Sequence, residues 1–245
     1  MRLIRLSVIM LSLAVGVSCA HRSGHNKRER GRQRSEQPSS VRSKPSERPI
    51  IRKSSNDEIL TGADIFKKYS HAVFMVFTTD GSNVYQGSGF FIGENGLAVS
   101  NYHVFEGTGV GAEAIKLSGD DMAYKVTEVF QKSKDEDFII FRVGYDNRVS
   151  IPIAGKRPDI GDKVFAIGSP RGLENTFSSG EVSQWRGKNL MQISALIDHG
   201  SSGGALLNEY GEVVGITSGT FVDGSQANLN YAWSIDVIKP YIKQR

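Results

Sequence analysis

A serine hydroxyl, an imidazole and a carboxylate suffice for nucleophilic acyl transfer once a fold lines them up. This 245-residue chain offers a candidate for each. The serine lies in Asp198-His199-Gly200-Ser201-Ser202-Gly203-Gly204-Ala205-Leu206, a glycine-rich turn between apolar stretches. Glycines let the backbone take unusual dihedrals, so the Gly200 and Ser202 amides can converge on a developing oxyanion while a serine hydroxyl projects outward. Alone, the same residues also suit a plain Gly-Ser hairpin loop, and they leave open which of Ser201 and Ser202 would react. The imidazole is His103, at the end of Ala98-Val99-Ser100-Asn101-Tyr102-His103-Val104; a lone histidine there equally suits a structural role. The carboxylate is Asp137, directly ahead of Phe138-Ile139-Ile140-Phe141. At the lip of a buried strand it can hold an imidazole in one tautomer and stabilise the imidazolium, whereas Asp135 and Glu136 suit a turn facing water. His21, His25 and His71 make no metal-ligand spacing, so the sequence requires no metal and no cofactor.

The elements that must position these groups are short. Apolar or alternating runs occupy 72–78, 87–92, 97–101, 138–143, 163–167, 191–194 and 213–217. They are separated by Asp80-Gly81, Glu94-Asn95-Gly96, Gly161-Asp162, Tyr210-Gly211 and Asp223-Gly224, which is turn chemistry. Many short strands at turn-separated intervals predict an all-β barrel or sandwich. Thr61 as cap with Asp64 reaching back predicts a short helix carrying Ile65, Phe66 and Tyr69. A second amphipathic stretch, Ile235, Val237, Ile238, Tyr241 and Ile242, predicts a closing helix after Ser234 that Pro240 limits or kinks.

Residues 1–19 place Arg2 and Arg5 before an apolar run too short to span a membrane, and small residues before Cys19, the chain's one cysteine. The segment resembles a bacterial lipoprotein signal, which implies a lipid anchor on Cys19 and a place in the cell envelope; Ala20, rather than Asp, then implies the outer membrane. An ordinary cleaved signal is the other reading. Residues 20–57 read as a basic, disordered tether: 21–53 alone hold eleven Lys or Arg and almost nothing apolar. A tail of that length would span roughly 35 Å as a flexible coil, either as a solvated spacer or as an anion-binding arm. Residues 54–245 hold 17 Lys or Arg against 23 Asp or Glu, a balance of −6, so the chain's formal +4 belongs to the tether and signal. An acidic domain on an exported chain argues against a nucleic-acid partner.

Taken together, the order His103, Asp137, Ser202 and the words around them resemble the HtrA/Deg branch of the trypsin-like serine proteases. The resemblance covers GSGFFIGENGLAVSNYHV (87–104), DFIIFRV (137–143), GSPRGLENTFSSGEVS (168–183), GSSGGALLNEYGEVVGITS (200–218) and NYAWSIDVIKP (230–240). It implies a chymotrypsin-like double antiparallel β-barrel within 58–245, barrel one at about 70–150 and barrel two at about 151–233, acting as a serine endopeptidase. Carried over, Ser202 is the nucleophile, His103 the base, Asp137 the orienting group, and the Gly200 and Ser202 amides the oxyanion hole. Leu196 stands six residues before Ser202, where basic-specific relatives keep an aspartate. With Ile197 it implies an apolar, shallow pocket favouring Val, Ala or Ile, with His199, where proline is frequent, in the pocket wall. Unfolded polypeptides are the implied substrates. Ser201, Ala205 and Tyr102 depart from common family residues, and the chain ends where PDZ domains commonly follow, so peptide-regulated assembly does not carry over. Two other readings keep the fold without the activity: a silent module that captures unfolded chains, and a structural envelope protein tethered by Cys19.

Overall fold

The structure, a computed structural model, describes residues 48–51, 58–108, 111–169, 175–220 and 229–244. The expected signal, Cys19, nearly all of the tether, residues 170–174 of the 168–183 block and the Asp223-Gly224 turn lie outside them. The described chain begins with strand β1 (Ile50–Ile51) and helix α1 (Gly62–Tyr69). As expected, Thr61 caps α1: its hydroxyl accepts the Asp64 amide and the Asp64 carboxylate accepts the Thr61 amide. Ile65 and Tyr69 bury the inner face of α1, while Phe66 meets Phe177 edge-on.

Six strands then close into one barrel: β2 (Val73–Thr79), β3 (Val84–Phe91), β4 (Leu97–Ser100), β5 (Ala114–Leu117), β6 (Ala123–Ser133) and β7 (Phe138–Val143), in the order β2-β3-β4-β7-β6-β5. Six more close a second: β8 (Lys163–Gly168), β9 (Thr176–Arg186), β10 (Leu190–Ile193), β11 (Ala205–Leu207), β12 (Val213–Thr220) and β13 (Asn230–Ser234), in the order β10-β13-β12-β11-β8-β9. All these pairings are antiparallel, the double-barrel architecture that the resemblance implies. Turns follow local chemistry. At Asp80 the carboxylate accepts the Asn83 amide, the Tyr85 hydroxyl and the Ser82 amide, which together hold its pKa well below the usual carboxylate range.

The continuous apolar runs have a geometric cause. In β7, Ile139, Phe141 and Val143 fill the interior of the first barrel, while Phe138 and Ile140 join a separate cluster. That cluster also takes Leu97 and Val99 from β4, Phe165 and Ile167 from β8, Ala205 and Leu207 from β11, and Val213 and Ile216 from β12. It is an apolar wall shared by the two barrels, so strands on it are buried on both faces and cannot alternate. Helix α1 packs on the same wall through Ile65 and Tyr69, and the C-terminal residues through Ile235, Val237, Ile238 and Ile242. The expected closing helix is broken into two 3-10 turns, Ile235–Val237 and Lys239–Tyr241, with Ser234 capping the first and Pro240 inside the second. Pro240 lacks the amide that one continuous helix would need. The chain then pairs β14 (Lys243–Gln244) in parallel with β1, so both ends of the described domain are tied together.

Ile140 is fully buried in the shared wall and Val129 is 43% exposed on β6, so the wall can be weighed directly. Ile140→Ala is expected to lower stability by about 2–5 kcal/mol in chemical denaturation, and Val129→Ala by less than about 1 kcal/mol. Equal losses at the two sites would contradict a wall that holds the barrels together.

Candidate active site

His103 follows β4 in the turn at 102–107, on the first barrel, and its side chain is 44% exposed. Asp137 precedes β7 with φ of +46°, a left-handed conformation that Asp tolerates better than bulky residues. Its carbonyl accepts the Asn101 side-chain amide at 2.8 Å, which fixes the turn from the end of β4. So held, the carboxylate receives His103 Nδ1 at 2.9 Å (Oδ2) and 3.1 Å (Oδ1), and the His103 backbone amide at 2.9 Å. A further bond comes from the second barrel: the Ser218 hydroxyl on β12 donates to Asp137 Oδ2 at 2.8 Å. One carboxylate therefore links the histidine turn to the opposite barrel.

Ser202 lies in the turn before β11, between Gly200 at φ +92° and Gly203 at φ +88°. Ser201 is buried, at 7% exposure, and Ser202 is half-buried. The turn is gripped by its carbonyls. Gly200 O accepts the Ser88 hydroxyl at 2.7 Å, Ser201 O accepts the Thr217 hydroxyl at 2.6 Å, and Ser202 O accepts the Ser88 amide at 2.8 Å. The Ser201 and Gly203 amides are spent on Asp198 O and Thr217 O. Among the described residues, the Gly200 and Ser202 amides have no acceptor. Ser202 Oγ shares no hydrogen bond with His103; it lies 3.2 Å from where a Cβ on Gly219 would be.

A cavity of about 430 Å³ is lined by Ser201 and Thr217, the chain neighbours of Ser202 and Ser218. Leu196 and Ile197 both line it, but differently from the expectation. Leu196 is 72% exposed and borders the mouth, whereas Ile197 is buried. His199 is exposed and is not part of the lining; only its amide is engaged, by Asp198 Oδ1 at 2.7 Å. Asp198 and Asn230 line the cavity instead, alongside Phe177, Ser178 and Ile167. The lining of this cavity is mixed: strands β9 and β13 bring the polar side chains of Ser178 and Asn230, distant in sequence from residue 196, up to the apolar Leu196 and Ile197. Ser88, Asn101, Ser218 and Asn230 were not singled out by sequence reasoning. Each lies inside a strand or at a strand end with its partner far away in sequence, and none carried a local signal.

Residues 87–216 match the model of the trypsin-like peptidase domain. The chain belongs to the trypsin-like peptidases. Its relatives are of the HtrA type: serine protease HTRA1A of Danio rerio is 31% identical over 202 residues, which cover 74% of this chain and 40% of that protein. A probable periplasmic serine endoprotease, DegP-like, of Halomonas elongata is 34% identical over 160 residues, covering 62% of this chain and 33% of that one. The chain thus spans about two fifths or less of these two relatives' length. Among solved structures, the serine endoprotease from Yersinia pestis superposes with a TM-score of 0.66 at 24% identity, covering 75% of this chain and 66% of that one. The Rv3671c protease from M. tuberculosis, in its active form, gives 0.64 at 18% identity, covering 81% and 90%. At those identities the structures speak for the fold.

Gly203 tests how tightly the turn is built. A Cβ there would collide with the Ser88 carbonyl oxygen and the Ser100 hydroxyl, whereas one on Gly81, at nearly the same φ, would meet nothing within 4 Å. Gly81→Ala should cost only the left-handed strain of about 1–2 kcal/mol, and Gly203→Ala clearly more. Thermal unfolding of both variants measures the difference; equal shifts would mean that the turn is loosely held.

Proposed function

We propose that this chain is a serine endopeptidase that hydrolyses peptide bonds through an acyl-enzyme. Ser202 attacks the scissile carbonyl, His103 takes its proton and passes it to the leaving amine, and water repeats the sequence to release the acyl group. The observation that carries this reading is the Asp137 carboxylate, bonded to His103 Nδ1 and to Ser218 across the barrels. A carboxylate on Nδ1 keeps the proton on that nitrogen and leaves Nε2 free to act as base. The unpaired Gly200 and Ser202 amides supply donors for the tetrahedral oxyanion, which a backbone fixed in advance stabilises without reorganising. The serine-protease names of the relatives support the same activity.

The substrates we propose are unfolded or damaged proteins of the cell envelope, whose apolar segments are exposed only when folding fails. An envelope location is supported by the export signal read at 1–19 and by the periplasmic, DegP-like relative. Lipidation of Cys19 would hold the domain at the outer membrane on a basic tether. One observation favours the silent-module reading, namely the missing hydrogen bond between Ser202 and His103. In a working hydrolase that contact often tightens only with substrate in place. Labelling by a fluorophosphonate separates the two readings, since only an activated serine reacts.

Ser202→Ala is expected to abolish labelling and to lower casein turnover by several orders of magnitude, while Ser201→Ala, altering a buried hydroxyl, keeps both measurable. Casein turnover by a folded Ser202→Ala protein equal to the parent's would remove Ser202 from the mechanism. Cys19→Ser is expected to move the protein from the membrane to the soluble fraction or leave it unprocessed. Recovery of both proteins as soluble periplasmic species would argue against the anchor.

A further inference from the structure

The cavity beside the Ser202 turn has a polar character that Leu196 does not announce, and one of its buried polar residues is Asn230 at the start of β13. Asn230 is 2% exposed, and its side-chain amide nitrogen donates to the Ala195 carbonyl at 2.9 Å. A carbonyl can only accept, so this contact fixes which end of the Asn230 amide is nitrogen. It leaves Oδ1, an acceptor, as the end offered to the cavity that Asn230 lines, with no donor placed on it among the described residues. The neighbouring groups lean the same way. Ser178 Oγ donates to Leu196 O at 2.8 Å and Thr217 Oγ1 donates to Ser201 O at 2.6 Å, so both spend their proton on the backbone and keep only lone pairs. Asp198, also in the lining, adds no donor from its carboxylate, one oxygen of which takes the His199 amide. The hydroxyls of Thr176 and Ser201 rotate and can serve either way.

Resting on the endopeptidase reading, we infer that Asn230 is a specificity-determining residue that selects, on the acyl side of the cut, side chains tipped with a hydrogen-bond donor. Ile167, Phe177 and Ile197 receive the apolar stem of such a side chain, and the acceptors meet its tip. Thr is then preferred to its isostere Val, and Gln to Met, which has a similar reach. A buried acceptor left unpaired by Val or Met loses its water and gains nothing in return, which is the physical source of the discrimination. Glu, ionised and without a donor, is the poorest of the set.

The test uses the purified full chain and peptide pairs that differ only at the acyl-side residue: Thr or Val, Gln or Met, Gln or Glu. Expected is a preference of about tenfold in kcat/KM for the donor-bearing member of each pair, the size of one net hydrogen bond. The same order should appear in the affinities of these peptides for the Ser202→Ala chain, read by fluorescence anisotropy without any turnover. Asn230→Ala is expected to bring the Thr-to-Val ratio close to one, in kcat/KM and in the anisotropy affinities alike. Asn230→Asp, of the same shape with a charged acceptor, should raise cleavage after Lys relative to Gln, which keeps the test open if the alanine variant fails to fold. Val equal to or better than Thr in the parent overturns the inference, as does a ratio that neither Asn230 variant changes. Absence of labelling in the parent strikes the endopeptidase reading instead, and the anisotropy ratios then still decide for or against the pocket.

Discussion

Ser88 makes the contacts on which the serine turn depends. It sits on β3 of the first barrel, fully buried, and its amide and hydroxyl reach Ser202 O and Gly200 O on the second. The same hydroxyl accepts the Ser169 amide at 2.9 Å, and the Ser88 carbonyl accepts the Ser100 hydroxyl at 2.7 Å. Each such bond adds about 0.5–1.5 kcal/mol net, yet leaving one of these buried groups unmet would cost about 1–3 kcal/mol. That asymmetry gives the seam its register. The shared apolar wall provides adhesion but tolerates sliding, because the hydrophobic effect is not directional. Hydrogen bonds at one buried serine do not tolerate it, so the barrels settle where Ser218 can also reach Asp137.

How far the fold can be read in the sequence follows from which surfaces are covered. Runs such as Phe138–Val143 stand out because one face fills a barrel and the other meets the wall. Strands β6 and β9 have eleven residues each and do not stand out, since each has one buried residue, Val126 and Val182. Their other residues face water or lie half-covered, and register shifts on β6 and in the pairing of β9 with β10 break any alternation. The barrels close through them by backbone hydrogen bonds, which leave no mark on composition. Near the C-terminus Ile235, Val237, Ile238 and Ile242 are buried as their spacing implies, but Tyr241 of the same set is exposed, and Pro240 divides the expected helix into two short turns.

The site divides along similar lines. His103, Asp137 and Ser202 stand out in the sequence as candidates because each sits where a turn meets an apolar strand, and their spacing within local words is distinctive. The groups that support them are small polar residues inside strands or at strand ends, whose partners lie far away in sequence. Ser218 lies 81 residues from Asp137, and Ser88 lies 112 from Gly200. Nothing in a serine's identity tells whether its hydroxyl meets water or a carboxylate on another barrel. Asn230 shows the same limit for the pocket, since its contact with Ala195 exists only after β10 and β13 pair.

The division of labour within residues 200–204 bears on how such a turn could act on a substrate. Every carbonyl from Gly200 to Ser202 is bonded, two of them to Ser88 and one to Thr217, while the amides of Gly200 and Ser202 are left without acceptors among the described residues. A peptide plane held by its oxygen has the N–H of the following residue fixed as well, so the Thr217 bond to Ser201 O also aims the Ser202 amide that shares its plane. For an oxyanion that forms only in the transition state, donors already aimed are worth more than donors that must first turn, because the cost of ordering them was met when the protein folded. The crowding at Gly203 belongs to the same device: a glycine backed against Ser88 and Ser100 leaves the loop no room to retreat. Stability given up by two unpaired amides is recovered at the carbonyls, and the exposed donors are what the proposed chemistry requires.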